Sequence, residues 1–119
     1  MKSLIAFVVG LFLLAGQAAA QNADFVLANA TGYPIRELYV NSSKSEEWGD
    51  DILGKHVINN QEEWKISFTK KGNVCRQDMK IVFDDDGSEV VWEGLNLCEI
   101  NKITLTYDRR SGKTTARTE

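Results

Sequence analysis

Apolar and polar side chains alternate along most of the chain, and Gly, Pro, Asn and Asp interrupt the alternation at short intervals. A period of two sends successive side chains to opposite faces of a pleated strand, so the pattern predicts an all-β, antiparallel fold. Residues 24–30 form the first predicted strand, with Phe25 and Leu27 on one face, ending at the turn Thr31-Gly32-Tyr33-Pro34. Pro34 has no N–H to give to a ladder and marks the boundary. Residues 35–40 place Leu38 and Val40 on one face and Glu37 and Tyr39 on the other. The alternation is clearest over 63–69, where Trp64, Ile66 and Phe68 point inward and Lys65, Ser67 and Thr69 outward, before Lys70-Lys71-Gly72-Asn73 turns the chain. A last strand over 102–107 puts Ile103, Leu105 and Tyr107 opposite Thr104 and Thr106.

Between these, Asp86-Gly87 separates two apolar runs and reads as a two-residue type I′ hairpin turn. Such a turn fixes the register, pairing Phe83 with Val90, Ile81 with Trp92, Lys80 with Glu93 and Cys75 with Cys98. It also gathers Met79, Ile81, Phe83, Val90 and Trp92 on one face. A three-residue loop would set Phe83 against Glu89, a poorer match. The paired run is long for a strand, so a bulge is expected near Gly94.

The N-terminus breaks the pattern. Lys2 precedes an apolar stretch from Leu4 to Ala15, and Ala18-Ala19-Ala20 forms a small-residue cleavage site before Gln21, so residues 1–20 read as a secretory signal peptide. The stretch is shorter than the roughly 17 to 25 residues of a spanning helix, so no membrane span is expected in the mature chain. Of 119 residues, 99 then remain, with net charge −4, enough for one small domain over 21–107. Residues 108–119 hold four basic and two acidic side chains and no large aliphatic one, the composition of a flexible polar tail. Four separated charges on an acidic body predict no nucleic-acid partner. Two cysteines in a short exported chain are expected as one disulfide, Cys75 to Cys98. The expected location is periplasmic or secreted. Asn29-Ala30-Thr31 and Asn41-Ser42-Ser43 would be glycosylation acceptors in a eukaryotic secretory pathway.

Chemistry, if present, is expected in the irregular segment 41–60. Ser43-Lys44-Ser45-Glu46 fits a capping box that would start a helical turn and present Trp48 before Gly49. Trp48 has two readings: a plug packed on Ile52 and Leu53, or an exposed platform for a sugar ring or a partner side chain. With Asp50, Asp51 and His56 it makes up a candidate interaction loop. Trp64 and Trp92 are expected in the core. No metal is expected: a lone histidine and a C-x22-C spacing lack a zinc ligand set, and the consecutive Asp84, Asp85 and Asp86 cannot all converge on calcium from one hairpin tip, the alternative being a calcium site shared with another loop. No glycine-rich phosphate loop, nucleophile elbow or papain-like context surrounds any residue, so no catalytic residue or cofactor is expected.

The succession Asn29-Ala30-Thr31-Gly32-Tyr33, Leu38-Tyr39-Val40, Trp48-Gly49-Asp50-Asp51-Ile52-Leu53-Gly54, Cys75 with Asp78, Asp85-Asp86-Gly87 and Trp92-Glu93-Gly94-Leu95-Asn96-Leu97-Cys98 resembles a family of short, exported, mostly proteobacterial proteins of uncharacterised function. The resemblance spans the chain to about Tyr107 and implies a small β-sandwich-like domain in the envelope or outside the cell, with no activity to carry over. The expectation is therefore an antiparallel β-sandwich of about six to eight short strands. Its predicted core is Phe25, Leu27, Leu38, Val40, Trp64, Ile66, Phe68, Met79, Ile81, Phe83, Trp92, Ile103 and Leu105. It is expected to act as a non-enzymatic binding or structural module for a protein or glycan partner. The alternative is a small envelope hydrolase or lyase, which needs His56 or a carboxylate pair in a pocket.

Overall fold

The computed structural model describes residues 22–43, 45, 47–69 and 74–119. The expected signal peptide, the Lys70 to Asn73 turn and the Phe68 side chain lie outside that description. Seven strands follow one another: β1 Asn22–Ala30, β2 Ile35–Ser42, β3 Glu63–Thr69, β4 Arg76–Phe83, β5 Glu89–Asn96, β6 Lys102–Asp108 and β7 Lys113–Thr118. They form two sheets, in the orders β3-β1-β6-β7 and β2-β4-β5. The sandwich is confirmed, with one departure from antiparallel pairing: β1 and β6 run side by side in the same direction.

The inward positions of both sheets meet in one core. Phe25, Leu27, Ile66, Ile103 and Leu105 come from the first sheet and Ile35, Leu38, Met79, Ile81 and Phe83 from the second. Val40 and Trp92 pack against it while staying partly exposed. Trp64 does not belong to it. It is 40% exposed on the edge strand β3, with His56 stacked on its ring. Ile35 is buried as well as Leu38 because the β2–β4 register slips between Ile35 and Glu37.

The β4–β5 hairpin corrects the expected turn. Phe83 N donates to Ser88 O at 2.9 Å and Gly87 N to Phe83 O at 3.1 Å, so four residues, Asp84 to Gly87, make the loop. Asp86 Oδ1 accepts from Ser88 N at 2.9 Å and from its hydroxyl at 2.7 Å, an Asx turn that a two-residue loop would not allow. Gly87 closes it at φ 73°, a conformation that costs glycine nothing. Ile81 therefore faces Val90 and Met79 faces Trp92. The register has moved by two residues, and a shift of two keeps every side chain on its face. The inward set thus survives the wrong pairing.

Past Met79 the register slips again, so that Asp78 stands opposite both Glu93 and Gly94. Gly94, at φ 70°, donates its N–H to Asp78 Oδ1 at 2.9 Å, completing the expected bulge. Beyond the bulge Cys75 and Cys98 are disulfide-bonded, with Cα atoms 5.3 Å apart.

Residues 108–119 are not a tail. They turn through 109–112 and return as β7 along the whole of β6. Apolar content is a poor guide to such a strand, because the backbone ladder holds it and only Ala116 packs on the core. The domain accordingly extends through residue 119.

Candidate functional site

The segment 41–60 first serves the fold. β2 is the outer strand of its sheet, and an open edge invites pairing with other chains. Here it is covered: Ile52 N donates to Leu38 O at 2.8 Å, and Asp51 Oδ1 accepts from Leu38 N at 2.9 Å and Leu53 N at 3.0 Å. Ile35 and Ile58 exchange both backbone hydrogen bonds at 2.9 Å. Asp51 is thus a structural clamp, and Leu53 and Ile58 drop into the core. Asp50 is exposed. The expected capping box falls partly outside the described residues, at Lys44 and Glu46; Ser43 sits in a turn, and Ser45 and Glu47 carry no helix.

Before this clamp, the chain crosses the outward face of the three-stranded sheet and lays Trp48 on it. Tyr39, Lys80 and Val91 stand in register across β2, β4 and β5. Lys80 Nζ lies 4.8 Å from the centre of the Tyr39 ring and 5.2 Å from that of the Trp48 ring. An ammonium between two aromatic faces is held by their quadrupoles, which leaves the long lysine side chain only 16% exposed. Val91, beside it, is 44% exposed. Trp48 also forms one wall of a pocket of about 90 Å3 shared with Asn41, Ser42, Ser45, Glu47 and Asp78. Asp78 also borders a broad, shallow depression of about 430 Å3 with Ser43, Arg76, Glu93 and Gly94. Asn41 Nδ2 donates to Glu47 O, and Ser45 Oγ accepts from Glu47 N at 3.2 Å, which shapes the pocket rim. Asp78 takes bonds from Ser43 Oγ at 2.7 Å and Gly94 N at 2.9 Å, both on Oδ1.

Tyr39 is fixed by its neighbour. Its hydroxyl donates to Glu37 Oε1 at 2.6 Å, while Arg36 Nε lies 3.2 Å from Glu37 Oε2. The hydrogen bond to a carboxylate pushes the phenol up to about 12 and, with the Arg36 bond, holds Glu37 below the usual carboxylate value. The sign of each shift sets a window. The pair supports the fold below pH about 10, loses that support as pH rises through about 12, and loses it again as pH falls through the lowered Glu37 value. Ultraviolet titration of the phenolate is expected to place Tyr39 near 12, and Glu37→Gln to return it toward the ordinary value of about 10. An unmoved titration in Glu37→Gln would contradict this geometry.

His56 lies elsewhere. Its ring stacks on Trp64 at 3.5 Å between centres and 19° between planes. Its Nε2 is shielded from solvent, 3.2 Å from Glu62 Oε2, and makes no directed hydrogen bond. The four candidate loop residues therefore do not converge: Trp48 faces the outside of one sheet, Asp51 serves the backbone, Asp50 faces solvent and His56 caps the edge of the other sheet. The acidic hairpin borders a second cleft of about 160 Å3, where Asp85, Asp86 and Ser88 meet Tyr33, Phe83 and Tyr107. Among the described residues no group of three or more His, Cys, Asp or Glu could hold a metal ion.

Neither a protein-family model nor a curated protein matches the chain. Its fold is similar to that of a solved structure, the NMR structure of a protein from Eubacterium rectale, with a TM-score of 0.57 at 13% identity over 86% of this chain and 92% of that one. At that identity the likeness is one of fold alone.

Sequence reasoning singled out Trp48 but missed Tyr39, Lys80 and Asp78 as its neighbours. The alternation did put Tyr39 on an outward face. What it lacked was the strand order that sets Tyr39 beside Lys80.

Proposed function

We propose that the protein is an exported, non-enzymatic binding module that receives a glycan on the outward face of the β2-β4-β5 sheet, at Trp48. The observation that carries this reading is the position of the indole. It stands outside the set of side chains packed on the core, to which Ile52 and Leu53 belong, and walls a polar pocket. A sugar ring offers an apolar C–H face and a rim of hydroxyls, which suits an aromatic wall beside carboxylate, amide and hydroxyl groups. Glu47, Asp78, Asn41 and Ser45 supply those groups. The Tyr39–Lys80–Val91 row continues the face away from the pocket and gives a longer chain of sugars a second place to rest.

Export rests on the leader-like N-terminus and agrees with the Cys75–Cys98 disulfide, which persists in oxidising compartments. No helix among the described residues is long and apolar enough to cross a membrane. The resemblance to short exported proteobacterial proteins points to the same compartment.

The test is indole fluorescence of the protein titrated with N-acetylglucosamine oligomers, cellotetraose and peptidoglycan fragments. At least one should shift the spectrum, and Trp48→Ala should abolish its binding while leaving the melting temperature within a few degrees. Binding unaffected by Trp48→Ala, or no binding to any of the three, overturns the reading. A large fall in melting temperature with Trp48→Ala would return the indole to a structural role.

A further inference from the structure

The four outer strands treat their open sides differently. β2 is covered by residues 51–53 and by Ile58. On β5 the Phe83 to Ser88 bond sets the ladder so that Glu89, Val91 and Glu93 turn their backbone groups outward, and the strand then bulges at Gly94. Two copies pairing there about Val91 would bring Glu89 against Glu93, a like-charge pair. β1 gives its even-numbered positions to β6, as Val26 N donates to Asn101 O at 2.9 Å, and its odd-numbered ones to β3. β3 thus turns Glu63, Lys65 and Ser67 outward; pairing of two copies about Lys65 would set that charge against itself, and full overlap of 63–69 would set Lys65 against Ser67 and Glu63 against Thr69, with no opposite-charge pair gained.

β7 carries none of these obstacles. Glu119 and Lys102 exchange both backbone bonds, at 2.9 and 3.0 Å. The alternation of an antiparallel ladder then ties Arg117, Thr115 and Lys113 to β6 and turns the N–H and C=O groups of Thr114, Ala116 and Thr118 away from it. Ala116 packs on the core, so Thr114, Ala116 and Thr118 share the inner face. Lys113, Thr115, Arg117 and Glu119 share the outer one, where Arg117 and Glu119 lie 3.9 Å apart. The strand has no proline, no bulge and small or β-branched residues along its inner side.

We propose that β7 pairs antiparallel with β7 of a second copy of this chain, about a two-fold axis at Ala116, joining the two four-stranded sheets into one. Ladder parity limits the register to pairs of even positions with even ones, and among these an axis at Thr115 would set Lys113 against Arg117, whereas one at Ala116 joins unlike charges. Ala116 faces Ala116 and Thr114 faces Thr118 of the copy as hydrogen-bonded pairs, each exchanging two main-chain bonds. On the outer face the same register sets Lys113 against Glu119 of the copy, and symmetry repeats that opposite-charge pair at the other end. The occupant is thus chosen by charge: in this strand the basic end and the acidic end are spaced to meet in an antiparallel copy. One short strand pair buries less than the roughly 1,200 Å2 of a standard interface, so the dimer is weak and depends on concentration.

Light scattering and sedimentation of protein expressed from the full chain test this. The mass should double as concentration rises to about 0.5 mM. Lys113→Glu, and separately Glu119→Lys, should weaken association roughly tenfold or more, by setting like charges together at both ends. The double variant Lys113→Glu/Glu119→Lys restores both pairs with signs exchanged and should recover the wild-type constant within about threefold. Both residues are exposed, so the monomer's melting temperature reports separately that each variant is folded. A monomer throughout, leaving the edge to a strand of some other protein, overturns the proposal. So does a dimer indifferent to the single charge reversals, or one that the double variant fails to restore.

Discussion

Replacing Cys75 and Cys98 by serine is expected to lower the unfolding free energy by about 3 to 3.5 kcal/mol, the loop-closure entropy of the 24 residues the bridge encloses. For a domain of this size that is a fall in melting temperature on the order of 15 to 25 °C. The bridge lies beyond the bulge, where pairing is ending. Cys75 O accepts from Leu97 N at 3.0 Å, and Gln77 Nε2 reaches back to Val74 O at 2.9 Å. Leu97 is a core residue set in the turn after β5. The covalent link keeps that turn against the start of β4, and without it the turn is held there by the Leu97 to Cys75 hydrogen bond and the burial of Leu97. Hydrogen exchange should therefore rise first around residues 74–77 and 95–100, with the Asp84 to Ser88 turn protected until global unfolding. Thermal melts of the double-serine variant against the oxidised protein measure the size of the effect. A change below about 1 kcal/mol would mean that the unfolded chain already holds these ends together, and the entropic account would fail.

What the sequence reveals of this fold depends on how local each decision is. Alternation found β1 to β6, because a strand with one buried face must write a period of two into its own residues. It also fixed which side chains of β4 and β5 point inward, and that result outlived an error in the turn, since four loop residues and two give registers of equal parity. The turn was misread because Asp86-Gly87 carries the signature of a tight hairpin, while the competing Asx turn depends on Ser88, a residue that reads as strand. β7 was invisible for a different reason. Its hold on β6 is a backbone ladder, and Lys113-Thr114-Thr115-Ala116-Arg117-Thr118 has almost no apolar side to advertise. Trp64 shows the limit of alternation, which tells which face a residue is on but not whether the core covers it there. The candidate site shares that limit. Trp48 stands out as an aromatic residue in a loop, but Tyr39, Lys80 and Asp78 become its neighbours only through the pairing of β2 with β4, which joins segments far apart in sequence.

Asn29 is expected to be the costliest single polar residue to remove, at about 2 to 4 kcal/mol for Asn29→Ala. It is 1% exposed, so as a sugar acceptor it would have to leave the fold. Its Nδ2 donates to Tyr33 O at 2.8 Å and to Ile58 O at 2.9 Å, and its Oδ1 accepts from Thr31 N at 3.0 Å and Thr31 Oγ1 at 2.7 Å. Its backbone is engaged as well: Asn29 N donates to Glu62 O at 3.0 Å, and Asn29 O accepts from Gln61 N at 2.7 Å. One residue thereby fastens the turn after β1 and the far end of the 41–60 segment. Gln61, held at φ 72°, depends on that fastening, because a left-handed backbone costs a side-chain-bearing residue roughly 1 to 2 kcal/mol. Truncation frees four buried groups, of which Ile58 O keeps Ile35 N and Tyr33 O can still take the Thr31 hydroxyl. Asn29→Asp gives a sharper test. It keeps the acceptor but replaces a donating amide with a carboxylate oxygen pointed at two carbonyls, so it should be worse than alanine at pH 7. Acid should relieve it: protonation removes the buried charge and restores one donor, so the penalty of Asn29→Asp relative to wild type should shrink as pH falls. Denaturant unfolding of both variants at neutral and acidic pH measures this. If Asn29→Asp costs the same at both, or Asn29→Ala less than about 1 kcal/mol, the residue is not the node that joins β1 to the segment presenting Trp48.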